Sequence, residues 1–160
     1  MFKKRLTALL ALTMIAANGI SARAEGIKVP ADVVEISEDL GRQYNICPEL
    51  IQAICWKESR FESEAESEGC IGIMQVSPKW HKDRMARLGI TDLFNVRENM
   101  TAGVDYFSEL IGKYEDVSIA LMIYNGDSSA NDVLSGSDEV SAYADEILAI
   151  SAELERENGK

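Results

Sequence analysis

Met100, Val104, Phe107, Leu110, Ile111 and Tyr114 return at the three-and-four spacing that puts side chains on one face of an α-helix. The same spacing recurs along the chain with only short polar breaks. Val33, Val34, Leu40 and Tyr44 mark a helix over 31–44. Pro48 suits the first turn of a second helix over about 48–60, where its missing N–H is not needed. Pro78 opens another to about Leu88, which Gly89 ends. The long helix spans about 97–114, with Asn95 or Thr91 as its cap. Two more follow over 117–124 and 139–155, the last with Tyr143, Ile147 and Ile150 inward and a frayed tail, "RENGK". "IGIMQV" is short and β-prone, an extended passage or small hairpin near residues 70–76. "NGDSSANDVLSGSDE" is a turn-rich loop. With no internal repeat and no linker, the expectation is one mostly α domain over residues 25–160.

Residues 1–24 stand apart. A basic start (Lys3, Lys4, Arg5) precedes an apolar run from Leu6 to Ala17, and Ala22-Arg23-Ala24 has the small-x-small form of a cleavage site. This is the pattern of a secretory signal peptide cut after Ala24. The run is short of the roughly 20 residues a membrane span needs. No cysteine stands at the expected cut to carry a lipid. The reading is therefore an exported protein without a stable membrane anchor, in the cell wall or, where the host has an outer membrane, the periplasm.

Without its first 24 residues, which hold four basic and no acidic side chains, the chain goes from a formal charge of −11 to −15. A nucleic-acid partner would need a basic footprint, so this balance argues against one. It also argues against adhesion to anionic lipid. Three cysteines allow at most one internal disulfide. Cys55 falls on an apolar helix face and reads as a buried packing thiol. Cys47 and Cys70 lie at element boundaries, and a bond between them is expected, closing a loop of about 24 residues and contributing on the order of 3 kcal/mol. The cysteine spacings fit no zinc site and His81 is the only histidine, so neither a metal nor a cofactor is expected.

One residue departs from the helical pattern. Glu58 lies four residues after Ile54 and three after Cys55, on the apolar side of the second helix. Burial there favours the neutral acid, and the negative end of the helix dipole acts in the same direction. A carboxyl group kept protonated near neutral pH is what a general acid needs.

The string "ESRFESEAESEGCIGIMQVSP" resembles the motif of the soluble lytic transglycosylases, lysozyme-like enzymes of bacterial cell walls. The matching residues are Glu58-Ser59, Phe61, Ala65 with Ser67, Gly72 with Met74-Gln75, and Pro78. Asn99, Gly103, Tyr106 and Leu110 continue the likeness. Ala120 with Tyr124-Asn125, and then Tyr143, complete it over about residues 30–150. Ile123, Asp127, the Glu62-Ser63-Glu64 run and Cys70 depart from the family pattern. The resemblance implies a lysozyme-like helical fold, a monomer, and non-hydrolytic cleavage of the N-acetylmuramic acid–β-1,4–N-acetylglucosamine bond of peptidoglycan. Glu58 would be the single acid and base, assisted by the substrate's own 2-acetamido group. It places Ser59, Met74, Gln75, Tyr124 and Asn125 along the substrate groove, with the Tyr124 hydroxyl near the catalytic acid. For small exported members it implies service to a secretion or conjugation assembly by local opening of the wall.

Two other readings stay open on sequence. A hydrolytic muramidase would need a second carboxylate near Glu58, and Glu62, Glu64, Glu66 and Glu68 are candidates. A non-catalytic wall-binding or assembly factor would need no acid at all. Trp56 and Trp80 read as packing residues and His81 as an exposed side chain.

Overall fold

The computed structural model describes residues 26–136 and 139–160, so the expected signal peptide lies outside the described residues. The helices are α1 (Ala31–Tyr44), α2 (Pro48–Ser59), α3 (Lys82–Leu88), α4 (Val96–Tyr114), α5 (Val117–Tyr124), α6 (Ala130–Leu134) and α7 (Ala142–Glu157). Between α2 and α3 lies a two-stranded antiparallel hairpin of β1 (Glu66–Ser67) and β2 (Cys70–Ile71), with a further bridge from Ile71 to Val76. The mostly α expectation holds, and the hairpin meets the β-prone run at Ile71, its first strand lying in the acidic stretch before it and residues 72–75 turning back to the Ile71–Val76 bridge.

Helix α2 is the axis of the domain. Every residue from Glu49 to Cys55 is buried, and Ile51, Ala53, Ile54 and Cys55 have no exposed surface. A helix apolar nearly all round must sit inside, and here it lies between α1 and α7. Met100, Val104 and Phe107 of α4 are fully buried as their spacing requires, packing that helix on α1 and α5. Asn95, not Thr91, caps α4, its side chain accepting the Glu98 N–H at 3.1 Å.

Four expectations are corrected. The helix after Pro78 begins only at Lys82, because residues 77–81 make a single separate turn that His81, at φ −112°, interrupts. The turn-rich loop contains the short helix α6. The C-terminal tail is docked rather than frayed: Asn158 Nδ2 and Lys160 Nζ donate to buried Glu49 Oε1 at 2.8 and 2.7 Å.

The Cys47–Cys70 disulfide is the fourth, since all three cysteines are free thiols. Cys47 caps the start of α2, where its thiol donates to Glu49 Oε2 at 3.1 Å. Cys70 lies within the electrostatic reach of Glu58 at the other end of that helix. A helix of this length separates its ends by about 18 Å, whereas a disulfide tolerates Cα atoms no more than about 7 Å apart. Cys55 is the buried packing thiol expected of it.

Two glycines let the hairpin segment press against α4. Gly72 has φ +76°, and a Cβ there would lie 2.2 Å from the Asn99 amide nitrogen. A Cβ on Gly103 would meet Met74 Sδ at 2.8 Å. Buried Asn99 fastens the contact, accepting the Met74 N–H at 2.9 Å and donating to the Ile71 and Leu93 carbonyls at 2.7 and 2.8 Å.

Candidate active site

The last turn of α2 carries Glu58 out of the core to a half-buried position. Its Oε1 accepts a hydrogen bond from the Tyr143 hydroxyl, which comes from the first turn of α7. Lys57 pairs with Glu146 of α7, and its ammonium lies 5.7 Å from the centre of the Tyr143 ring. The end of α2 and the start of α7 are thus latched together around the carboxyl group. Burial raises the Glu58 pKa above the usual carboxylate value. The Tyr143 hydrogen bond and the Lys57 charge pull it back only in part.

A groove of about 560 Å³ runs beside this group, lined by Cys70, Gln75, Trp80, Tyr106, Tyr124 and Asn125 among others. Cys70 and Tyr124, which line the groove, lie within the electrostatic reach of Glu58. Both have raised pKa values, first through burial and then through the Glu58 charge. A series of rings follows along the groove lining: Tyr124 to Tyr106 at 5.5 Å between centroids, then Tyr106 to His81 at 4.5 Å.

The residues singled out in the sequence take distinct places. Gln75, at φ +49°, lines the groove and is braced by bonds from Nε2 to the Gly72 and Ala65 carbonyls at 2.9 and 3.2 Å. Asn125 ends α5, exposed on the groove wall. The side chain of Met74 is fully buried, so this residue faces the core and shapes the site through its backbone. Ser59 is a fastener: its hydroxyl donates to the Ile73 carbonyl at 2.9 Å, with the Cys55 carbonyl at 3.3 Å. The Tyr124 hydroxyl donates to the Met74 carbonyl at 2.8 Å.

The hydroxyl bonded to Glu58 therefore belongs to Tyr143. Sequence reasoning placed Tyr143 inward on the last helix but did not connect it to an acid 85 residues earlier. Local spacing carries no signal for such a pairing. Two aromatic groups also differ from expectation. Trp80 is 76% exposed rather than packed, because the turn at 77–81 holds it on the groove rim. His81 is half-buried, stacked on Tyr106 and 2.7 Å from Arg84 through Nδ1. Glu62, Glu64, Glu66 and Glu68 are all exposed around the hairpin. Among the described residues, no group of three or more His, Cys, Asp or Glu side chains is placed to hold a metal.

A mostly helical domain whose buried helix ends in a half-buried carboxylic acid near a groove is consistent with a lysozyme-like fold. The chain belongs to the transglycosylase SLT domain family, whose profile matches residues 35–144. It is 32% identical over 85 residues to a transglycosylase of Enterobacteria phage PRD1, covering 52% of this chain and 31% of that protein. It is 33% identical over 70 residues to the membrane-bound lytic murein transglycosylase F of Desulfosudis oleivorans, covering 43% of this chain and 14% of that one. The chain thus spans under a third of either relative. In structure it is similar to an inactive mutant of the lytic transglycosylase Slt from Pseudomonas aeruginosa. The TM-score there is 0.70 at 19% identity, over 82% of this chain and 25% of that one, a likeness of fold.

Proposed function

We propose that this protein is a peptidoglycan lytic transglycosylase with Glu58 as its acid and base. The observation that carries the reading is the half-buried Glu58 carboxyl, kept above its ordinary pKa by burial, held by Tyr143 and within electrostatic reach of the groove residues Cys70 and Tyr124. Protonated Glu58 donates to the glycosidic oxygen, and the bond from that oxygen to the muramyl anomeric carbon breaks. The substrate's 2-acetamido oxygen stabilises the cationic carbon. Ionised Glu58 then takes the proton of the muramyl 6-hydroxyl as that oxygen bonds to the anomeric carbon. Glu58 ends protonated, no water enters, and the product carries a 1,6-anhydromuramyl end.

Gln75 and Asn125 line the groove as candidate substrate contacts. Met74, Ser59 and Tyr124 hold its floor through the bonds described. Hydrolysis is less well supported. An inverting hydrolase needs a second carboxylate roughly 6.5–9.5 Å from the acid to activate water, and the four loop glutamates are all exposed rather than held beside Glu58 by any hydrogen bond or ion pair to it. The protein would act as an exported monomer in the wall or periplasm, serving a secretion or conjugation assembly. No helix among the described residues is long and apolar enough to cross a membrane.

The test is release of soluble muropeptides from purified peptidoglycan by the protein and by Glu58→Gln. The native chain is expected to release them, and the variant to be slower by a factor on the order of 10²–10⁴, the usual contribution of a general acid. Equal release by both would remove Glu58 from the chemistry. Release by neither would move the wall-binding reading to first place.

A further inference from the structure

Trp80 is the most exposed large apolar side chain among the described residues, at 76%, yet it lines the groove. An exposed indole on an open surface means little. One on the wall of a groove, set on a rigid base, is a contact surface waiting for a ligand.

The base is rigid because α3 and α4 are cross-braced beneath it. Arg84, its side chain only 10% exposed, bonds Asp105 Oδ2 at 2.8 Å and pairs with Glu109. Its guanidinium lies 4.9 Å from the centre of the Tyr106 ring. His81, next in the chain to Trp80, is clasped between Arg84 and Tyr106. Lys79 stands over the Trp80 ring, 4.7 Å from its centre. The indole lines the groove together with Ser77, Gln75 and Asn125.

We propose that Trp80 is a sugar-stacking platform on the groove wall, gripping a pyranose ring of the glycan strand. The inference rests on the transglycosylase reading and adds a subsite to it. A pyranose presents an apolar C–H face bordered by hydroxyl groups. The indole matches the face, and the hydroxyl and amide side chains around it match the border. A stacked nucleobase would fit the indole equally well, but a chain this acidic repels the phosphates that come with it. The ring series His81, Tyr106, Tyr124 leads from the residue next to Trp80 to one within electrostatic reach of Glu58, so one strand can extend along it. Trp80 acts in binding and not in the chemical step, and its loss raises KM for long strands while leaving kcat unchanged.

The experiment uses the full chain with Glu58→Gln, which binds without turnover, and peptide-free glycan strands as the probe. The protein has two tryptophans, so emission reports on Trp56 and Trp80 alone. Strand binding is expected to shift and quench the emission. The response should survive Trp56→Phe and disappear in Trp80→Phe. By calorimetry, Trp80→Ala should bind about tenfold more weakly, and Trp80→Phe should recover most of the affinity because a ring suffices. Strands that bind Trp80→Ala as tightly as the parent, with unchanged emission, would overturn the platform and leave the transglycosylase reading standing. Quenching by a proline-rich peptide but not by strands would overturn it in favour of a peptide groove. Failure of the parent to bind strands at all would overturn both.

Discussion

At the scale of single residues, the proposed chemistry turns on the balance at Glu58. Burial raises its pKa, while Tyr143 and Lys57 stabilise the anion. A general acid works only while protonated, so activity should fall as pH rises through the Glu58 pKa. Tyr143→Phe removes a bond that favours the ionised form, so it should raise that pKa and move the alkaline limb of the pH–rate profile to higher pH. An unmoved limb would show that Tyr143 does not hold the carboxyl group in the working enzyme. Asn99 acts on shape instead. Its side chain makes three hydrogen bonds that tie the hairpin segment and the Leu93 carbonyl to α4. Asn99→Ala leaves those buried partners unmet and should cost about 3 kcal/mol in urea denaturation. A loss below about 1 kcal/mol would mean water replaces the amide. The apolar-face position of Glu58 was legible from spacing alone. The exchange of partners, with Tyr124 on a carbonyl and Tyr143 on the acid, was not, because it depends on how α5 and α7 reach the same place from distant stretches of chain.

At the scale of elements, α2 and α7 are tied at both ends. Glu58 meets Tyr143 at one end, and Glu49 meets Asn158 and Lys160 at the other. Burial pushes the Glu49 carboxyl up, but hydrogen bonds from Lys160, Asn158 and Cys47 outweigh it and hold the pKa at about 2. The folded value lies below the unfolded one, so the stabilisation is present in full above the ordinary carboxylate pKa. It is lost as pH falls from there through about 2. Glu49→Gln should lower stability at pH 7 by about 2–3 kcal/mol, and the difference from the native chain should shrink steadily on acidification. A difference independent of pH would assign the effect to packing. The helices themselves were largely legible: α1 and α5 match their expected ranges, and α4 begins one residue earlier. The misreadings fall where tertiary contacts override local signals. Pro78 is a common helix opener, but the Ile71–Val76 bridge keeps the chain engaged in the hairpin just before it. The polar tail looked frayed because its partner, Glu49, lies 109 residues away from Asn158.

At the scale of the whole molecule, one core joins α1, α2, α4, α5, α7 and the hairpin segment without a covalent cross-link between cysteines. A reducing agent should therefore leave Tm unchanged. All three thiols should titrate in denaturant, with Cys55 silent in the folded protein because it is wholly buried. A Tm lowered by reductant would restore the Cys47–Cys70 bond. The disulfide was misread because loop length ignores direction: the two cysteines flank α2, and a helix holds its ends apart. The proposed mechanism uses Glu58 as its one acid and admits no water, while the four glutamates around the hairpin are exposed. The most direct test is digestion of peptidoglycan in ¹⁸O-labelled water, followed by mass spectrometry of the product ends. The account predicts anhydromuramyl ends, one water lighter than reducing ends and free of label. Reducing ends carrying ¹⁸O would contradict it and make the enzyme a hydrolase.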